Sequence, residues 1–151
     1  MASPPDIVDH IRPALLADLP RILEIERLCF EKQWHEGYFC PAFQDTFYVY
    51  EEEKILGFII ACICETAQTG TIMRVAVHPQ AQGKGIATQL ITRALATLQE
   101  KQVVSVELDV ETSKSEVKRL YEKLGFHTLK LVNVDSDYED EAFYIMELRL
   151  T

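Results

Sequence analysis

Val75-Ala76-Val77-His78-Pro79-Gln80-Ala81-Gln82-Gly83-Lys84-Gly85-Ile86-Ala87 is the stretch on which the reading of this chain turns. An apolar run ends at a proline, Gly83 and Gly85 follow, and an amphipathic helix begins at once. The first turn of a helix has N–H groups with no intrahelical partner and carries the positive end of the dipole. Glycines beside it let an anion approach the main chain. Gln82 to Ala87 is therefore a candidate anion cradle, with Lys84 adding a point charge. A strand-to-helix turn with no ligand would look the same locally, so the flanking sequence has to decide.

After the glycines, Ile86, Leu90, Ile91, Ala94, Leu95 and Leu98 recur at helical spacing and predict a helix over Lys84–Gln99. Val103–Val110 reads as a strand. Ser113 and Glu116 have capping-box spacing, which predicts a second helix running to Leu124 and stopped by Gly125. Phe126–Val132 and Phe143–Leu150 read as strands joined by an acidic loop, Asn133–Glu141.

Before the glycines, Thr71–Val77, Ile55–Cys64 and Phe47–Tyr50 read as three antiparallel strands. Phe30–Pro41 reads as a short helix or an aromatic-faced loop with Trp34, Tyr38 and Phe39. Asp18 is expected to cap a helix to Cys29, with Pro20 in its first turn. Its apolar face takes in Leu19, Ile22, Leu23, Ile25, Glu26 and Leu28. Ile7–Arg12 is expected as a first strand and Met1–Asp6 as a flexible tail. The order predicts a mixed α/β (α+β) fold, with seven strands in a single domain over residues 1–151.

Lys and Arg number 15 against 24 Asp and Glu, a net charge of −9. That argues against nucleic acid and anionic membranes and mildly for a cationic acceptor, although it also serves plain solubility. No apolar run is long enough to span a bilayer and no secretory signal is seen, so a cytoplasmic location is expected. Cys29, Cys40, Cys62 and Cys64 are expected as reduced thiols, the last two buried on one strand face. They and the scattered histidines make no metal-ligand pattern.

Two motifs now stand together, Gln82-Gly83-Lys84-Gly85-Ile86-Ala87 and Tyr121-Glu122-Lys123-Leu124-Gly125-Phe126. With them the chain resembles the GNAT superfamily of acyl-CoA-dependent N-acetyltransferases from Ile11 to its last strand. Within it, the chain looks most like ribosomal-protein alanine and protein N-terminal acetyltransferases. The resemblance implies a mostly antiparallel seven-stranded sheet with helices on both faces, whose parallel fourth and fifth strands splay. It implies acetyl-CoA as co-substrate and no metal. The pantetheine arm is expected along Val75, Ala76 and Val77, and the pyrophosphate at Gln82, Gly83, Lys84, Gly85, Ile86 and Ala87.

The same resemblance makes Tyr121 the acid for the departing thiolate and Glu31 or Asp109 the base, acting by direct attack in a ternary complex. His127 is the less favoured base. Phe30, Trp34, Tyr38 and Tyr138 are expected to receive the acceptor. Two positions depart from the relatives' Leu-Glu-Val-Arg-x-Ser-Asn run: Asp109 is one methylene shorter than Glu, and Lys114 replaces the cofactor-touching Asn.

The expected acceptor is a protein or peptide N-terminus, for an enzyme working as a monomer or homodimer. Lysine side chains, polyamines and other small amines are the nearest alternatives, and a silent acyl-CoA sensor is a different class. A dinucleotide fold is excluded by order, because three antiparallel strands precede the glycine turn. No Gly-Lys-Ser/Thr follows the glycines, which excludes an NTPase loop.

Overall fold

The computed structural model describes residues 9–135 and 140–151. The elements are β1 (Ile11–Pro13), α1 (Leu19–Cys29), α2 (Glu36–Ala42), β2 (Thr46–Glu51), β3 (Ile55–Cys64), β4 (Thr69–Val77), α3 (Ile86–Glu100), β5 (Ser105–Glu111), α4 (Ser115–Lys123), β6 (His127–Asp135) and β7 (Asp140–Arg149). The seven strands form a sheet in the order β1-β2-β3-β4-β5-β7-β6. The mixed, mostly antiparallel sheet read from the sequence is thus the observed one. β4 and β5 are its parallel pair, and their ladder joins Thr69, Gly70 and Thr71 to Ser105, Val106 and Glu107. Among the described residues the ladder stops there, while β4 runs on to Val77 and β5 to Glu111.

Backbone contacts divide the chain into two compact units, one up to Ile60 with Arg74–Ala94 and the other of Ala61–Met73 with Leu95–Thr151. In the first, α1 buries Leu19, Ile22 and Ile25 at helical spacing. They join Phe39, Phe47, Val49 and Phe58 in one apolar cluster. Each such side chain contributes on the order of 1.5–3 kcal/mol when fully buried. Phe39 meets Phe58 edge-on with centroids 5.8 Å apart, and Phe43 stacks on Phe47 at 4.9 Å. Gly57 is required by close packing, since a Cβ there would stand 2.8 Å from the Ala76 carbonyl oxygen.

In the second unit β5 alternates cleanly. Val106, Leu108 and Val110 are buried, whereas Glu107, Asp109 and Glu111 are exposed. β7 pairs with β5 on one side, Asp109 opposite Ile145, and with β6 on the other. The predicted stop of α4 is observed: Gly125 has φ 101°, and Phe126 N–H donates to the Tyr121 carbonyl at 3.0 Å.

Several local expectations need correction. Asp18 does not cap α1 through its side chain. A 3-10 turn, Leu16–Asp18, precedes the helix and already gives Asp18 helical dihedrals. Its carboxylate instead accepts from Leu15 N–H at 2.7 Å and from both Arg12 Nη atoms at 2.8 and 3.0 Å. That guanidinium holds the Asp18 carboxyl below its ordinary range. Ser113 does not start α4; Lys114 stands at the cap, with φ −97° and ψ 64°, and makes no side-chain capping bond.

Leu28 is 51% exposed, at the edge of the apolar stripe. Cys62 is half-buried and Cys64 exposed, because the continuous burial of β3 over Gly57–Ala61 ends before them. None of the four cysteines is in a disulfide, and among the described residues no cluster of three or more His, Cys, Asp or Glu could hold a metal. No helix among the described residues is long and apolar enough to cross a membrane. The expected tail and the start of the first strand lie outside the described residues.

Candidate active site

In the first unit the end of β4 leads through a 3-10 turn, Pro79–Ala81, into Gln82–Gly85 and then α3. His78 shapes the turn by accepting Gln80 N–H on Nδ1 at 3.1 Å. Gly83 and Gly85 have φ of 81° and 80°, in the left-handed region that costs an L side chain roughly 1–2 kcal/mol. A Cβ on either would meet nothing within 4 Å. The glycines are therefore required by dihedral, and they leave the main chain uncovered beside the first turn of α3. Lys84 is exposed, Ile86 is buried as an anchor, and Ala87 is half-buried. This is the geometry of an anion cradle, and it fits a pyrophosphate.

His78 N–H donates to the Leu56 carbonyl at 2.7 Å, so His78 and Ala76 turn their backbone groups toward β3. Val75 and Val77 turn theirs to the opposite edge. There the Val77 carbonyl is already taken, accepting from Gln82 Nε2 at 3.1 Å and from the Cys29 thiol at 3.2 Å. The Val77 carbonyl is thus part of the scaffold. Gln82 has a second task beyond the cradle, tying the loop to the strand.

The segment after α1 gathers the expected acceptor aromatics. Phe30 ends the helix in an extended conformation. Trp34 is half-buried, its ring 5.4 Å from Phe39 and 6.0 Å from Tyr38. Tyr38 is 57% exposed and lies 4.3 Å from the His35 ring. Glu31 belongs to the same segment and is exposed. Tyr138 lies outside the described residues, as do Asp137 and Glu139 of the acidic loop.

The sequence reading missed the residues that organise this segment. Glu26 was counted on the apolar face of α1 and is fully buried. Its partner is Arg74 of β4, and the Arg74 guanidinium lies 3.5 Å from the Phe30 ring centroid. The available signal was a lone carboxylate in a helix stripe and a lone guanidinium in an apolar strand, since buried charges of opposite sign need each other.

In the second unit the structure brings Tyr121 and Asp109 together. Tyr121 is 5% exposed and packs edge-on against Phe126 at 5.7 Å. Burial, and then the Asp109 carboxylate charge, push its phenol up to about 12. It stays protonated through the neutral range and can donate. Asp109 is exposed on β5, Lys114 is exposed at the head of α4, and His127 is exposed at the start of β6. The two candidate bases therefore differ, because only Asp109 is electrostatically coupled to Tyr121 within one unit.

Comparison with known proteins shows the family. The model of the Acetyltransferase (GNAT) family matches residues 14–126. A [Ribosomal protein bS18]-alanine N-acetyltransferase of Haemophilus influenzae is 30% identical over 118 residues, 76% of this chain and 78% of its own. An N-alpha-acetyltransferase of Sulfurisphaera tokodaii is 27% identical over 138 residues, 82% of this chain and 83% of its own. The crystal structure of the ribosomal-protein-S18-alanine N-acetyltransferase from Escherichia coli superposes with TM-score 0.84, covering 93% of both chains at 23% identity, which shows the shared fold. The chain belongs to the Acetyltransferase (GNAT) family and is an acetyl-CoA-dependent acetyltransferase.

Proposed function

We propose that the chain acetylates the α-amine of a protein or peptide N-terminus. The observation that carries this is the kind of relative it has. Among the proteins similar over three-quarters of the chain or more are an alanine N-acetyltransferase and an N-alpha-acetyltransferase. The aromatic group of Phe30, Trp34 and Tyr38 supports the same reading, offering apolar surface to a short extended peptide.

Acetyl-CoA supplies an acyl group activated as a thioester. In this proposal the main chain of Gln82–Ala87 and the Lys84 ammonium hold its phosphates. The Val75 main chain orients its arm. Asp109 accepts a proton from the attacking amine, directly or through water, and Tyr121 donates one to the leaving sulfur. Glu31 is the alternative base. The net charge of −9 favours one second reading, a polycationic small amine as acceptor.

The test is thiol release from acetyl-CoA with peptides that differ at residue one, run beside N-blocked lysine peptides and polyamines. Turnover confined to free N-terminal peptides is expected. Turnover confined to lysine or polyamine moves the function to the second reading. Cofactor binding with no turnover on any amine overturns both.

A further inference from the structure

Glu26 and Arg74 have no part in the chemistry above, yet they form the most deeply buried ion pair among the described residues, with side chains 1% and 17% exposed. Arg74 Nε donates to Glu26 Oε1 at 3.1 Å and Arg74 Nη2 to Glu26 Oε2, a two-pronged pairing that fixes the guanidinium plane. The remaining bonds of the pair leave α1 and β4. Trp34 N–H donates to Glu26 Oε2 at 2.9 Å, and Arg74 Nη2 donates to the Lys32 carbonyl at 2.9 Å. The guanidinium carbon also lies 3.5 Å from the Phe30 ring centroid and 5.2 Å from that of Trp34.

One ion pair therefore touches Phe30, Lys32 and Trp34, alternate residues of the short segment between α1 and α2. Tying a helix to a strand requires only the fork between the two side chains. The two additional main-chain bonds act on the segment itself. The Arg74 charge is balanced at contact distance by Glu26, which makes Arg74 a poor docking point for an acidic acceptor and a good internal tie.

We propose that Glu26 and Arg74 are positioning residues that hold Phe30–Trp34 in the conformation that receives the acceptor. The effect on the acceptor rests on the function proposed above; the hold on the segment does not. The ordering of the segment is then a property of the free protein, and the acceptor meets a formed surface. Loss of the tie is expected to weaken acceptor binding and to leave acetyl-CoA binding alone.

Trp34 is the single tryptophan of the chain, so its fluorescence reads the segment without any assay of activity. Three variants of the full chain suffice: Arg74→Lys, Glu26→Gln and the double variant Glu26→Leu/Arg74→Met. Lysine keeps the charge and loses the planar fork. The double variant removes both charges, so it leaves no unpaired buried ion and tests the tie even where a single variant fails to fold.

Expected in each folded variant are a red shift of Trp34 emission and stronger acrylamide quenching. The KM for the acceptor amine is expected to rise about tenfold, with KM for acetyl-CoA unchanged within about twofold and kcat at saturating acceptor largely kept. Unchanged Trp34 emission and quenching in the folded double variant would falsify the proposal. A loosened Trp34 with unaltered acceptor KM, or equal rises in both KM values, overturns it as well. If wild type turns over no amine, the proposed function fails by itself, and fluorescence still decides whether the pair holds the segment.

Discussion

Each unit of the molecule buries one polar side chain beside its candidate chemistry, and the two are treated in opposite ways. Glu26 is charged, and both of its oxygens accept hydrogen bonds from the protein. Tyr121 is neutral, only 5% exposed, and packed by its ring against Phe126. A buried carboxylate bonded on both oxygens specifies geometry, whereas a buried neutral phenol placed by its ring packing is a donor that can serve a reacting molecule. The difference separates holding a site from operating it.

The sharpest test of that difference is Tyr121→Phe. The ring contact with Phe126 survives and only the donor is lost, so kcat is expected to fall by about 10²–10⁴-fold with little change in melting temperature. A large loss of stability in this variant would place Tyr121 with Glu26. The converse variant, Glu26→Ala, leaves Arg74 unpaired and is expected to destabilise by about 3–5 kcal/mol in denaturant titration, nearer the low end because Arg74 is partly hydrated. Near-wild-type stability there would break the comparison from the other side.

A third test uses pH. The Tyr121 phenol is raised from 10.0 to about 12, so the folded state binds this proton more tightly than the unfolded chain. Its contribution is fully present below pH ~10 and is lost as pH rises through ~12, by about 2–3 kcal/mol at 1.36 kcal/mol per unit. Tyr50, whose phenol is also raised by burial, adds a loss in the same direction, so melting curves across that window should show a smaller loss in Tyr121→Phe than in wild type. The smallest effect concerns the scaffold of the first unit. Gly57→Ala brings a methyl against the Ala76 carbonyl and is expected to cost about 1–3 kcal/mol, measured by chemical unfolding, without altering the Tyr121 effects.

Much of this was legible in the chain because it rests on local rules. Ile55–Cys64 is observed with the bounds that its apolar run suggests, and the helix after Gly85 follows its spacing closely. Gly125 stops α4 because only a glycine takes φ 101° there without strain. The errors arise where another interaction or turn outcompetes the cap that the spacing suggests. Asp18 looks like a cap, but Arg12 and the preceding 3-10 turn claim its carboxylate. Ser113 and Glu116 have capping-box spacing, yet the helix starts beyond Lys114.

Glu26 and Arg74 are 48 residues apart, beyond the reach of any periodicity. The two glycines and Tyr121 were recognisable as motif residues. The coupling of Asp109 to Tyr121 required the fold, because β5 and α4 have to be packed before the charge is felt.

The alternation at the end of β4 has a kinetic consequence. The His78 amide is bonded to the Leu56 carbonyl of β3, and by strand alternation the Val75 and Val77 amides face away from β3, at the strand's other edge. In deuterated solvent this strand should exchange in an every-other-residue rhythm, slow at Ala76 and His78 and fast at Val75 and Val77. A ligand that lies along that edge should silence the fast pair and leave the slow pair as it was.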